Sequence, residues 1–297
     1  WSSDVCSSDL DNYYINSNKL ALINLSIRDY KIMGKYRLHE LLTAITQKRI
    51  QQVLSRGSYD IFHPTYYSHK FLPYLKNNKP FVLTVYDLIH EKFPEYFKVE
   101  DSASNKRALL EKASIIIAIS ENTKRDIVQI YNIPEEKIKV IHLASSILPD
   151  NIEVVEDLPE RYLLFVGSRG GYKNFRFFIN SILELMEKDA SLHVVCGGGW
   201  HFIEEELDYL KELKINSRVH QRDANDRQLA YLYSRALAFV FPSLYEGFGI
   251  PVLEAFACGC PTILSYSSSL SEVGGDASLY FDPLSSQSLA ETVNEVI

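Results

Sequence analysis

Glu246 and Glu254 are two acids with seven residues between them, in a stretch (241–261) that is otherwise largely apolar. The apolar run at 236–241 reads as a buried strand. Pro242 and Ser243 end it. Gly247 and Gly249 then permit a tight turn and close approach of backbone to a ligand. Pro251 suits the first position of a helix running to about Cys258. A strand, a glycine-bearing loop and a helix start offer unpaired backbone N–H groups and a positive helix end to an anion. The two carboxylates accept hydrogen bonds from hydroxyls. Phosphate plus polyol is the chemistry of a nucleotide sugar.

A second stretch repeats the device. The run at 163–166 feeds Gly167-Ser168-Arg169-Gly170-Gly171-Tyr172-Lys173-Asn174. Glycines let backbone N–H groups approach phosphate oxygens, Arg169 binds them bidentately, and Lys173 adds a point charge. A solvated loop with surface cations is the ordinary alternative. Gly197-Gly198-Gly199 follows another strand, where a plain tight turn explains it as well as a nucleotide border does. Gly-x-Gly-x-x-Gly is missing, which weakens a nicotinamide-dehydrogenase reading. In the first half, Asp87 and His90 follow a buried strand, and His63 ends another before Pro64. His90-Glu91 lacks the second His of a zinc-protease signature.

Tyr245-Glu246-Gly247-Phe248-Gly249-Ile250-Pro251-Val252-Leu253-Glu254-Ala255 resembles the donor-site motif of the retaining glycosyltransferases of family 4, which have the GT-B fold. The likeness continues through Gly259, Pro261, Ser271-Glu272-Val273-Gly274-Gly275 and Tyr280-Phe281-Asp282-Pro283. More weakly, it covers nearly everything after about residue 59. It implies transfer of a sugar from a UDP- or GDP-sugar to a glycan or lipid-linked acceptor hydroxyl, with retained anomeric configuration. It also implies no cofactor, no essential metal, and a role in cell-envelope polysaccharide or lipopolysaccharide synthesis. By the same resemblance Glu246 holds the sugar's hydroxyls and Glu254 the ribose. Gly167, Arg169 and Lys173 face the diphosphate, and Phe248, Gly249 and Ile250 lend backbone to phosphate and sugar. Asp87 matches the acceptor-side pattern, and His90 joins it as a cleft residue. Arg169 and Lys173 stand one step closer together than the family's usual pair. Tyr86 replaces a His that the family often carries before the Asp. Two other readings stay open: a sugar-nucleotide epimerase of GT-B type and, because of that departure and the truncated ends expected below, a non-catalytic nucleotide-sugar-binding subunit. Glu254 as a favourable helix charge, Glu246 as a loop acid and His90 as a structural hydrogen-bonder are the ordinary alternatives.

With 297 residues, the chain has room for two ordinary domains. A net charge of −7 gives nucleic-acid binding no support. Apolar runs fall short of the roughly 18 residues that a membrane helix needs. The expected location is cytoplasmic, with peripheral contact at the inner membrane face left open. Cys258-Gly-Cys260 has no second pair, so reduced, mostly buried thiols are expected rather than zinc. The only Asp-x-Asp, Asp9 to Asp11, begins inside a leader (1–10) that resembles a translated sequencing adapter and is not a signal peptide. The chain also stops inside an expected helix, so truncation at both ends is expected.

Positioning these residues falls to alternating strands and helices, the pattern of parallel α/β sheets. Strands are expected at 20–27, 60–63, 80–85, 114–119, 138–142, 162–166, 192–196, 218–220, 236–241, 262–264 and 279–281. Helices are expected at 36–54, 101–112, 120–131, 174–188, 202–213, 227–234, 251–258 and 286–297. The acidic, weakly patterned 151–159 reads as a linker. The expected architecture is GT-B: two Rossmann-like domains, 11–155 on the acceptor side and 156–297 binding the nucleotide sugar, with parallel sheets facing a cleft.

Overall fold

The computed structural model describes residues 35–64, 66–76, 79–97, 102–147, 149–150 and 152–297. The strand expected at 20–27 lies outside them. The first helix, α1 (Lys35–Arg56), ends at Gly57, whose φ of 68° turns its N–H back onto the carbonyls of Val53 and Leu54. The strand expected at 60–63 is reduced to a single bridge between Phe62 and Phe81. Its donors end there, because Pro64 carries no N–H. Next come β1 (Val82–Val85), the short α2 (Ile89–Lys92), α3 (Ser102–Lys112), β2 (Ile115–Ala118), α4 (Glu121–Tyr131) and β3 (Ile138–Val140). The three strands form one sheet in the order β1-β2-β3. Ser120 caps α4, accepting the Thr123 N–H at 3.0 Å, and Asn132 closes it in the left-handed region.

The second sheet is built from β4 (Tyr162–Val166), α5 (Phe175–Lys188), β5 (His193–Gly197), α6 (Glu204–Glu212), β6 (Val219–Arg222) and α7 (Asp226–Arg235). It continues through β7 (Ala238–Phe241), α8 (Ile250–Ala257), β8 (Thr262–Ser265), α9 (Leu270–Gly274), β9 (Leu279–Phe281) and α10 (Ser286–Asn294). The six strands pair in parallel in the order β6-β5-β4-β7-β8-β9. Every residue of β4 is buried, as an unbroken apolar strand at the centre of a covered sheet should be. Leu163 and Phe165 pack with Phe175, Phe178 and Ile182 of α5 and with Leu289 and Val293 of α10. Tyr162, Leu164 and Val166 face the other way, onto Ala230, Leu232 and Tyr233 of α7 and Val252 and Ala255 of α8. The helix expected from 202 starts only at Glu204, where the Glu206 carboxylate accepts the Ile203 N–H at 3.0 Å. The last helix stops at Asn294 rather than running on to 297. The sequence reading did not foresee α2 and α9.

The described residues group into two compact units. One holds the described residues through Thr84, the residues 102–117, and Ile133–Lys139. The other holds residues 85–97, Ala118–Asn132 and the described residues from Val140 onward. Residues 85–97 and α4 therefore group with the six-stranded sheet, and all the site residues described below except His63 and its partner Thr84 lie inside this second unit. The strand order reverses between β4 and β7. The loops leaving their carboxyl ends diverge there, which makes the natural ligand crevice of an open parallel sheet.

Candidate functional site

The loop after β4 ends at Lys173 and the loop after β7 carries Glu246, so both flank the point where the strand order reverses. Tyr172 O accepts the Leu244 N–H at 2.8 Å and joins the two loops. Lys173 Nζ donates to Glu246 Oε1 at 2.7 Å, and the two side chains are only 16% and 13% exposed. The ammonium also lies 5.2 Å from the ring centroid of Phe241 and 5.3 Å from that of Tyr172. Two poorly hydrated charges thus satisfy each other at the crevice. Removing either leaves the other buried and unpaired.

The Glu246 loop is held by its backbone. Ser268 Oγ accepts the Glu246 N–H at 2.9 Å. Ser269 Oγ reaches both Glu246 O, at 2.8 Å, and Phe248 O, at 2.9 Å. Ser265 and Ser267 both hydrogen-bond Ser243 O, at 2.5 and 3.0 Å. From the other side, Ser120 Oγ and Thr123 Oγ1 donate to Gly247 O at 2.7 and 3.1 Å. Gly249 caps α8 with φ 107°, and a Cβ there would lie 2.8 Å from Leu270 Cδ2. Ile250 opens the helix, Pro251 follows within its first turn, and Phe248 is buried beside the His142 ring at 5.6 Å.

Residues 86–92 complete the cluster. The Tyr86 carbonyl and the Asp87 side chain pack on Gly247, and Asp87 Oδ1 accepts the Ile89 N–H at 3.1 Å. His90 lies in α2 with its ring 4.1 Å from that of Phe97, which in turn lies 6.1 Å from the Tyr172 ring. Burial raises the Tyr172 hydroxyl pKa, and the charges of Glu246 and Asp87 push it further. His63 stands apart in the first unit, at 2.8 Å from Thr84 Oγ1.

Two of the expected site residues are engaged elsewhere. Arg169 is buried and forks onto Glu206, with Nε to Oε1 at 2.9 Å and Nη2 to Oε2 at 3.0 Å. The same Nη2 donates to Trp200 O at 2.7 Å, and Nη1 is buried without a hydrogen-bond partner beside the Gly167 and Gly199 backbone. Gly167 leaves β4 with φ 106° and donates its N–H to Gly197 O at 3.1 Å. Glu254 lies deeper along α8 and accepts from Tyr233 OH at 3.1 Å. Burial raises its pKa, with Asp226 adding to the rise and the Tyr233 hydrogen bond opposing it.

The sequence reading missed Tyr172, Asp126, Tyr245, Glu206 and the serines. A serine-dense run at 265–271 was the one local signal for the last group. In the sequence, Glu272 stands out only through its place in the 271–275 motif. It accepts the N–H groups of Glu121 and Asn122 at 2.8 and 3.2 Å and pairs with His142 Nε2 at 2.8 Å, adding an acid to the start of α4. The three described cysteines are free thiols, Cys196 and Cys260 buried and Cys258 partly so. Burial pushes Cys196 and Cys260 up to about 12. Among the described residues, no helix is long and apolar enough to cross a membrane.

Residues 150–297 match the family model described as Glycosyl transferases group 1, and residues 21–144 match that of Glycosyltransferase Family 4. The chain is 32% identical over 222 residues to the O-antigen chain mannosyltransferase B of Escherichia coli, covering 68% of this chain and 57% of that protein. It is 29% identical over 236 residues to the O-antigen chain mannosyltransferase RfbU of Salmonella typhimurium, covering 77% and 63%. It therefore spans about three fifths of the length of these relatives. Among solved structures, the Anabaena protein Alr3699/HepE in complex with UDP and glucose superposes with a TM-score of 0.61 at 20% identity, over 84% of this chain and 70% of that one. Likeness of this kind carries the expected fold class, α/β of GT-B type.

Proposed function

We propose, from the premise that this chain belongs to the family 4 glycosyltransferases, that the protein moves a sugar from a nucleoside-diphosphate sugar to an acceptor hydroxyl. The observation that carries this reading is the Lys173–Glu246 pair at the crevice between β4 and β7. With the donor bound, Lys173 turns its charge to the diphosphate and Glu246 accepts from the sugar's hydroxyls. The start of α8, with the backbone of Phe248, Gly249 and Ile250, adds positive potential. Glu254 takes the ribose hydroxyls, and Gly167 lets backbone approach the phosphates. Arg169 reaches the diphosphate only by giving up part of its fork on Glu206. While that fork persists, it shapes the 197–201 loop. Asp87 and His90 line the acceptor side.

Transfer is proposed to retain configuration and to need no metal. The bond from C1 to the diphosphate oxygen breaks on the face where the acceptor oxygen attacks. The acceptor's proton passes to the departing diphosphate, whose growing charge Lys173 and the helix end offset. The names of the O-antigen chain mannosyltransferase relatives support a place in cell-envelope polysaccharide synthesis. A glycan or lipid-linked acceptor, and work at the cytoplasmic side with peripheral membrane contact, complete the proposal. The UDP-bound neighbour favours testing UDP-sugars first, then GDP-sugars.

The test is a transfer assay on the protein with UDP- and GDP-sugars, with and without a chelator. Retained product formed equally well with the chelator present supports the whole proposal. An inverted product, or loss of turnover on chelation, sinks the corresponding part. Release of an altered nucleotide sugar with no acceptor present would favour epimerase chemistry.

A further inference from the structure

We infer that Asp126, far from either glutamate in sequence, is a positioning residue that sets the Glu246 loop against the segment carrying Asp87 and His90. The inference rests on the proposed sugar transfer at the same site. The Asp126 side chain is 4% exposed, and a carboxylate that deep must be matched by donors. Oδ1 takes Lys92 Nζ at 2.5 Å. Oδ2 takes Tyr245 OH at 2.6 Å and Asn122 Nδ2 at 3.0 Å. Each of the first two donors belongs to a segment with proposed work to do. Lys92 ends the helix that contains His90, and Tyr245 immediately precedes Glu246. The Lys92 ammonium sits 5.2 Å from the Tyr245 ring centroid, so the two donors support each other as well.

Asp126 lies on α4, whose first turn already holds Gly247 O through Ser120 and Thr123. One rigid helix thus grips the Glu246 loop at both ends and the Asp87–Lys92 segment at one. A reacting arrangement built from two loops needs such a shared brace, because displacement by about 1 Å costs on the order of a hundredfold in rate. Nothing about Asp126 places it near a reacting atom. Its effect runs through Tyr245 and Lys92.

Asp126→Asn tests this at constant volume. Both oxygens face donors, so an amide in either orientation turns its NH2 toward a donor. Tyr245→Phe removes one link, leaves the Lys92 ion pair intact, and serves if the first variant folds poorly. Amide hydrogen exchange should show protection falling together in 85–92 and 243–249, while the middle of α4 stays protected. In transfer assays kcat should fall about tenfold or more, and by a larger factor than donor KM rises, because Lys173 and Glu254 still hold the donor while the two segments lose their mutual register. Unchanged exchange in either segment in both variants overturns the inference, and so does an unchanged kcat. A protein that moves no sugar in any assay removes the sugar-transfer reading instead, and exchange alone then decides whether Asp126 couples the two segments.

Discussion

Gly247 lies against the carbonyl oxygen of Tyr86 so closely that a Cβ at this position would sit 1.9 Å from it. No side chain fits there without backbone movement. The Asp87 Cβ would be met at 3.0 Å as well. A glycine beside Glu246 therefore serves contact with residues 86–87 at least as much as it serves the turn. Gly247→Ala should destabilise the fold by about 1–3 kcal/mol, the usual range for forcing volume into packed space. It should also cost transfer activity in the protein that still folds. Urea melts read the first effect and kcat per folded molecule the second. An alanine variant with unchanged stability would mean that the two segments separate easily.

Lys173→Ala should cut turnover by about a hundredfold, the scale of removing one preorganised charge contact. It also strands the Glu246 carboxylate in a site that hydrates it poorly. The double variant Lys173→Ala with Glu246→Gln should therefore be more stable than Lys173→Ala alone, while remaining inactive. Thermal melts of the three proteins, beside initial rates, decide it. Near wild-type turnover for Lys173→Ala would remove Lys173 from the mechanism.

Glu254 carries a pH signature. Burial raises its folded pKa above that of the unfolded chain. Its contribution to stability is therefore complete below the ordinary glutamate range and is lost as pH rises through the raised folded value. Glu254→Gln keeps an acceptor for Tyr233 OH and drops the charge. The variant should melt higher than the parent at pH 7, and the gap should close near pH 4. It should bind nucleotide sugar more weakly at both. Equal gaps in melting temperature at the two pH values would contradict the burial argument.

Glu272 reaches across from α9 to cap α4, and His142 pairs with it. Glu272→Ala should cost about 1 kcal/mol, the typical value of a lost N-terminal cap. Faster amide exchange should be confined to Glu121 and Asn122, because Ser120 still holds Thr123. Equilibrium unfolding with residue-level exchange distinguishes this local uncapping from a general loss of stability.

Much of the fold was legible along the chain. The strand at 162–166 and the helices at 102–112, 121–131 and 175–188 follow from apolar runs, 3.6-residue spacing and caps such as Ser120. These signals are local, since burial on one face or both repeats with the period of the element. The strand expected at 60–63 shrank to a bridge because pairing depends on a partner's register as well as on composition.

By itself, the sequence determined that two glycine-bearing loops, each leaving a buried strand, would carry Arg169, Lys173 and Glu246, with Glu254 on the helix that follows the second loop. Only the tertiary structure decided how those side chains are spent. Lys173 meets Glu246 across a separation of 73 residues, whereas Arg169 turns to Glu206 and Glu254 to Tyr233. Asp126 joins Tyr245 across 119. Spacing along a chain says which face of an element a group occupies. A buried charge takes the partner that folding brings within about 3 Å, and that partner is chosen by sheet order and loop path rather than by neighbours in sequence.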